Sequence, residues 1–377
     1  MTKFKNLTKY KFILMNTFGK KGIISSNKYH LKKAMEWLQY AYLKSDDDGV
    51  SGGYSLIDGW KISDPIISSG LISTLIEYNK TYNLDIDRNC SKLLRIISKW
   101  LCSIQLRSGA YRFGITDDEV NKPSAFSTGC VLSGLIDAYN ESKDKLYEYT
   151  VIKAGNYLVS KIQKDGSWVE QCFNDNTYSF NIMTSWSLLR LYILTGDLKY
   201  RKVAISNIRW TYKQKRKNFW FNNSMPNFDN SSSLRYILYI ARGFLECGLI
   251  LNNDSISRVA LDVVYILSKY FDSEKKLPMV FTDKWYGLDE GCYSVYIAQL
   301  SMLLLRLYEI YGIKKYIVYA LRLNDYLKVI QSVSKKRDIS GAIRDTNPIQ
   351  SGYSPFTFSS NTTKIFCDTL MFEGRCY

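Results

Sequence analysis

Tyr157-Leu158-Val159-Ser160-Lys161-Ile162-Gln163, followed two residues later by Gly166-Ser167-Trp168, decides the fold. It is the end of an apolar-periodic helix, a glycine that stops it, and an aromatic residue shortly after the stop. The same order occurs in Trp100-Leu101 with Gln105 and Gly109-Ala110-Tyr111, and in Trp37-Leu38-Gln39 running to Gly52-Gly53-Tyr54. Gly52 to Gly109 and Gly109 to Gly166 are both steps of 57 residues, a unit with room for two helices and two loops. Weaker copies continue through Asn218-Phe219-Trp220-Phe221, Lys276-Leu277-Pro278 and Ser340-Gly341-Ala342, which makes six units.

Each unit is followed by a second helix, near 66–80, 125–140, 178–195, 231–251, 290–311 and 357–371, several of them apolar on nearly every side. The first helices are amphipathic: Ile256, Val259, Ala260, Val263, Val264 and Leu267 form one stripe, with Arg258, Asp262 and Lys269 outside it. An inner ring of buried helices inside an outer ring of half-exposed ones accounts for both patterns. The expected fold is therefore all-α, a single (α/α)6 toroid of six helical hairpins over 29–377, with a basic N-terminal extension at 1–28.

The 377 residues are 46% hydrophobic and 23% charged, as in globular proteins, and 22 Gly with 6 Pro are few for an all-β chain. A formal net charge of +16 favours an anionic partner. Eight cysteines without a CxxC pair suggest reduced thiols. His30 is the single histidine, so mechanisms that need several His ligands, or a His base elsewhere, are excluded, and no metal or other cofactor is expected. The apolar stretch Phe12 to Met15 is too short for a signal-peptide core. Leu234 to Leu251 is interrupted by Arg235, Arg242 and Glu246, so no membrane span is expected and the chain is read as cytoplasmic.

The stretch from Tyr157 to Trp168 resembles the QW-type repeat of terpenoid cyclases and related toroids. Gly53-Tyr54 with Gly59-Trp60, Trp100-Leu101 to Tyr111, Pro123-Ser124-Ala125-Phe126, and Asn181 with Trp186-Ser187-Leu188-Leu189 and Thr195-Gly196-Asp197 resemble bacterial toroid proteins of capsule, O-antigen and exopolysaccharide synthesis. That likeness covers about residues 30–372. Pro123 to Phe126 is also similar to a segment of the helical domain of uronyl epimerases. Two positions depart from the polysaccharide group: Met183 stands where an Arg is expected, and Arg235 where a His is expected.

The resemblance implies a protein of bacterial surface-polysaccharide synthesis that binds or modifies an acidic saccharide, epimerase-, lyase- or glycosidase-like. The alternatives are a catalytically inactive assembly partner of glycosyltransferases and a terpenoid cyclase or prenyl-group enzyme. In such a toroid the turns from outer to inner helices gather with the inner-helix N-termini, whose positive dipole ends favour an anion. On those turns Tyr54, Trp60, Asp64, Tyr111, Arg112, Trp168, Glu170, Trp220, Tyr286 and Arg344 are candidates for holding an acidic oligosaccharide or lipid-linked saccharide. Each Gly-x-aromatic unit also suits a packing role at the end of its outer helix.

For proton abstraction beside a sugar carboxylate, Tyr178, Arg235 and Tyr353 supply a base and an electrostatic stabiliser. For hydrolysis, Asp289, Glu290, Asp229 or Asp64 supply acid and base. The basic clusters Lys213, Lys215, Arg216 and Lys217, and Lys335, Lys336 and Arg337, sit at outer-helix ends and read as solvated faces, so no nucleic-acid partner is expected. The basic N-terminus is a candidate peripheral membrane contact.

Overall fold

In the computed structural model, residues 22, 24–82, 87–113, 122–224, 231–273, 277–288 and 292–376 are described. They pack as two compact units: Met1–Ser63 with Asp289–Tyr377, and Asp64–Leu288.

The larger unit repeats one hairpin. Helices α2 (Pro65–Tyr82), α4 (Ala125–Ser142), α6 (Ile182–Thr195) and α8 (Leu234–Ile250) pack in that order, α2 on α4, α4 on α6 and α6 on α8. Against them lie α3 (Asp87–Ser103), α5 (Lys145–Lys161), α7 (Leu198–Lys213), the short α9 (Asp254–Ser257) and α10 (Val259–Ser273). The smaller unit holds α1 (Asn27–Leu43), α11 (Ser294–Tyr311), α12 (Lys314–Ile330) and α13 (Ser360–Glu373), with α13 packed on both α1 and α11. All six inner helices fall within the expected spans or run at most two residues past them. Four start three or four residues late, two of them because Ser231–Ser233 (β7) and Thr357–Ser359 (β11) are drawn into ladders.

Those ladders sit on the outer-to-inner turns. In the larger unit Tyr111–Arg112 (β3) pairs with Pro123–Ser124 (β4), Val169–Glu170 (β5) with Asn176–Thr177 (β6), and β7 with Val280–Thr282 (β8). In the smaller unit Gly53–Ser55 (β1) lies between Gly59–Trp60 (β2) and β11, and Cys292–Tyr293 (β9) pairs with Thr346–Asn347 (β10). Strands of two or three residues cannot stand alone. They fix the direction in which each turn delivers its side chains to the next inner helix.

The period-57 glycines show why the repeat is written as it is. Gly109 and Gly166 have φ of +95° and +96°. A Cβ at either would collide with a backbone carbonyl of the following outer helix, that of Lys153 or Ser206. Gly341 repeats the arrangement against Lys33 with φ +89°. Only glycine serves both demands, a left-handed backbone and a bare contact surface. In the weaker fourth unit Phe219 takes the left-handed conformation, φ +66°. His30 is a buried structural residue: its ring meets Gln331 Oε1 at 2.6 Å and accepts from the Ser25 amide.

Candidate functional site

Asp64 is the first residue of the larger unit and caps α2, its Oδ1 accepting from the Ile66 and Ile67 amides at 2.8 and 3.0 Å. Burial raises its carboxyl above the usual range, opposed by those two amides and by the charge of Arg235. Arg235 is the second residue of α8, whose N-terminus is capped by Ser233. The packing order places α4 and α6 between α2 and α8. Across that order the charge of Arg235 still acts on the Asp64 carboxyl.

The neighbouring turns and helices of the larger unit carry a cluster of aromatic rings. Phe180 stacks on Tyr178 and on Tyr236, with centroids 5.2 and 4.9 Å apart, and Phe126 meets Phe180 and Tyr239 at 5.2 and 5.4 Å. Phe173 and Phe113, both half-buried, extend the run outward. Glu170 is fully buried and caps α4 from the neighbouring turn, Oε1 accepting from the Phe126 amide at 2.8 Å. Burial raises its pKa, and the Phe126 amide works against the shift. Beside it the Cys172 thiol is pushed up to about 12, first by burial and then by Glu170. That is the setting of an inert thiol, not of a nucleophile.

Further along the same helices half-buried polar side chains form a line. Ser73 of α2 donates to Asp137 of α4 at 2.6 Å, and Arg190 of α6 donates to Asp137 and Ser133. The guanidinium groups of Arg190 and Arg242 each lie 5.8 Å from the Trp186 ring, and Arg242 pairs with Glu246 at 2.9 Å. This polar line joins all four inner helices of the unit. It is not apparent in sequence because these helices are apolar on nearly every side; the one signal is the i, i+4 pair Arg242 and Glu246 on one face.

The other expected residues take separate roles. Tyr111 and Trp168 are buried and serve packing: Tyr111 Oη donates to the Leu101 carbonyl and Trp168 Nε1 to that of Leu158, both at 2.9 Å and both ten residues back. Tyr178 is buried and donates to the Phe173 carbonyl at 3.0 Å. Burial raises its pKa, the opposite of what a base activated by arginine needs. Trp220 is buried edge-on against Trp285 at 5.3 Å. Arg112 and Tyr286 are exposed.

In the smaller unit Arg344 is half-buried, and desolvation lowers its pKa. Tyr353 is exposed, with its ring 4.3 Å from that of Tyr293 and its hydroxyl 3.3 Å from that of Tyr296. Tyr54 and Trp60 face each other across β1 and β2. Asp229, Asp289 and Glu290 lie outside the described residues, as does most of the arm at 1–28. Among the described residues no cluster of His, Cys, Asp or Glu is arranged to hold a metal ion, and no helix is long and apolar enough to cross a membrane.

No protein family matches the sequence, and none of the curated proteins does. Solved structures do. An unsaturated glucuronyl hydrolase specific for heparin is 14% identical with a TM-score of 0.72, covering 93% of this chain and 97% of its own. A sugar epimerase from a ruminal bacterium is 11% identical with a TM-score of 0.73, covering 92% and 98%. Cellobiose 2-epimerase from Bacillus thermoamylovorans is 10% identical with a TM-score of 0.69 over the whole of both chains. At these identities the likeness establishes the fold, an all-α (α/α)6 toroid.

Proposed function

We propose that the chain is a carbohydrate-modifying enzyme of bacterial surface-polysaccharide synthesis, acting on an acidic saccharide at the turn side of its larger unit. One observation carries the reading: Asp64, a carboxyl whose pKa burial raises, is approached by Arg235 from a non-neighbouring helix. The pair supplies one acid–base group and one cation. Proton transfer next to a sugar carboxylate needs both, the guanidinium holding the carboxylate through parallel hydrogen bonds and stabilising the charge that develops on it. Asp64 then moves the proton, in place of Tyr178. The structural neighbours named for a glucuronyl hydrolase and for sugar epimerases support a saccharide ligand through the shared fold.

The test uses uronate-containing oligosaccharides in heavy water. Asp64→Asn keeps the helix cap, because Asn serves there as well as Asp, and removes the acid. Turnover is expected to fall about a hundredfold or more for Asp64→Asn and for Arg235→Ala, with the folding transition retained. Abstraction by Asp64 needs its carboxylate form, so the rate of the unaltered protein should rise as pH rises through the raised Asp64 pKa. No deuterium at any sugar carbon and no new reducing ends from the unaltered protein would overturn the reading.

A further inference from the structure

The smaller unit carries an aromatic and basic cluster of its own. Trp60 stacks on the buried Trp37 with ring centroids 5.7 Å apart and 30° between planes, so one of its faces is committed to packing. Tyr40 meets its edge at 5.6 Å and Tyr54 lies at 5.3 Å. Its Nε1 donates to Asp338 Oδ1 at 3.1 Å, while Trp37 Nε1 donates to the Asp338 carbonyl at 2.8 Å. Tyr40, Tyr54 and Trp60 are all half-buried, and Ile62 continues the Trp60 face of the ribbon, exposed, through the Gly52–Ile62 backbone bond. The platform is thus held from one side by Trp37 and remains partly exposed.

Three cations border it. Lys336 Nζ donates to Tyr54 Oη at 2.7 Å and lies 4.7 Å from the ring centre. Arg337 and Lys44 lie 4.3 and 5.3 Å from the centre of the Tyr40 ring. The carboxylate among them, Asp338, is occupied by Trp60 Nε1 and by Lys336 at 3.6 Å. Flat rings match the C–H face of a pyranose, and exposed cations beside them suit a carboxylate or sulfate.

The geometry points to a second, non-catalytic binding surface at Tyr40, Tyr54, Trp60, Lys336 and Arg337 that holds a strand of acidic glycan. This takes its ligand class from the saccharide reading but not its location. A strand is favoured over an anionic membrane by what lies beside the platform. Asp46, Asp47 and Asp48 begin two residues after Lys44 and are exposed, and Asp48 acts on Tyr42. A planar anionic surface laid on Lys44 would also face Asp46, two residues along the chain and so within about one Debye length of 8–10 Å. A single strand contacts the platform and avoids them.

The test is calorimetric titration of the full chain with hexagalacturonate, and separately with phosphatidylglycerol vesicles. Lys336→Ala/Arg337→Ala should weaken hexagalacturonate binding about tenfold and flatten its salt dependence, with an unchanged circular-dichroism spectrum. Trp60→Ala gives a second, charge-neutral loss of the same binding. Asp64→Asn should retain that affinity while losing turnover, so failure of the active-site reading and failure of this one are distinguishable. Equal hexagalacturonate affinity in the double variant and the unaltered protein would overturn the inference. So would vesicle binding that the double variant loses while its hexagalacturonate affinity stays intact.

Discussion

Tyr111 and Tyr54 stand in corresponding places of the repeat, each just after the glycine that follows an outer helix, yet their environments are opposite. Tyr111 is sealed in the larger unit, its hydroxyl donating to a carbonyl of its own hairpin and its pKa raised well above the usual value by burial. Tyr54, in the smaller unit, is half-buried, and its hydroxyl receives a lysine. Trp168 repeats the Tyr111 arrangement down to the ten-residue reach of its hydrogen bond. One motif therefore does two jobs, and the partner decides which. Where the partner is a carbonyl of the same hairpin, the ring locks the turn; where it is an exposed lysine from another loop, the ring stays half-exposed.

The largest effect expected from this contrast is at the glycines. Gly166→Ala puts a Cβ against the Ser206 carbonyl at a φ of +96°, and should cost about 2–4 kcal/mol, from overpacking and backbone strain together. Gly59→Ala, beside Trp60 with φ +88° and nothing within 4 Å of the added Cβ, should cost about 1 kcal/mol from the backbone alone. Urea denaturation of the two variants compares them directly. Equal losses would mean that the close approach of the outer helix in the larger unit carries no weight.

Next in size are the hydroxyls. Tyr111→Phe leaves the Leu101 carbonyl buried without its donor, and about 1–2 kcal/mol should be lost. Tyr54→Phe removes a bond to an exposed lysine and should stay within about 0.5 kcal/mol. If Tyr54→Phe proved as destabilising as Tyr111→Phe in thermal unfolding, the smaller unit would be using its aromatic residue for packing after all.

The repeat was legible because a helix face, a stop glycine and a ring recur at fixed spacing, and each of these is a local property. The inner helices followed from it. Which side of a turn a ring enters is not local: Tyr111 and Trp168 are drawn inward by carbonyls of their own helices, and nothing in Gly-x-aromatic distinguishes that from Tyr54. Asp64 and Arg235 were both recognised as residues of the turns. Their approach to one another, across 171 positions of chain, depends on how four helices pack. The line from Ser73 through Asp137, Arg190, Trp186 and Arg242 was hidden for the reverse reason, since a single polar stripe on each helix barely changes its average hydropathy. Lys336 and Arg337 read as a solvated face until Tyr54 and Tyr40 were found beneath them.

The smallest effect is a change of slope, and it separates the two carboxyls of the larger unit. Asp64 and Glu170 both have pKa values raised by burial. In each case the folded state binds its proton more tightly than the unfolded chain, whose carboxyls titrate near 4. The stability from that proton is complete below the unfolded value and is lost as pH rises toward the folded one. Glu170→Gln keeps an oxygen to accept from the Phe126 amide and deletes the titration, so unfolding free energy plotted against pH should decline less steeply above pH 4 than in the unaltered protein. Asp64→Asn should flatten the same plot by its own share, and it alone should also remove the pH dependence of turnover. If Glu170→Gln abolished turnover as Asp64→Asn does, the buried cap of α4 would have to be counted with the chemistry, and the acid–base role could no longer rest on Asp64 by itself.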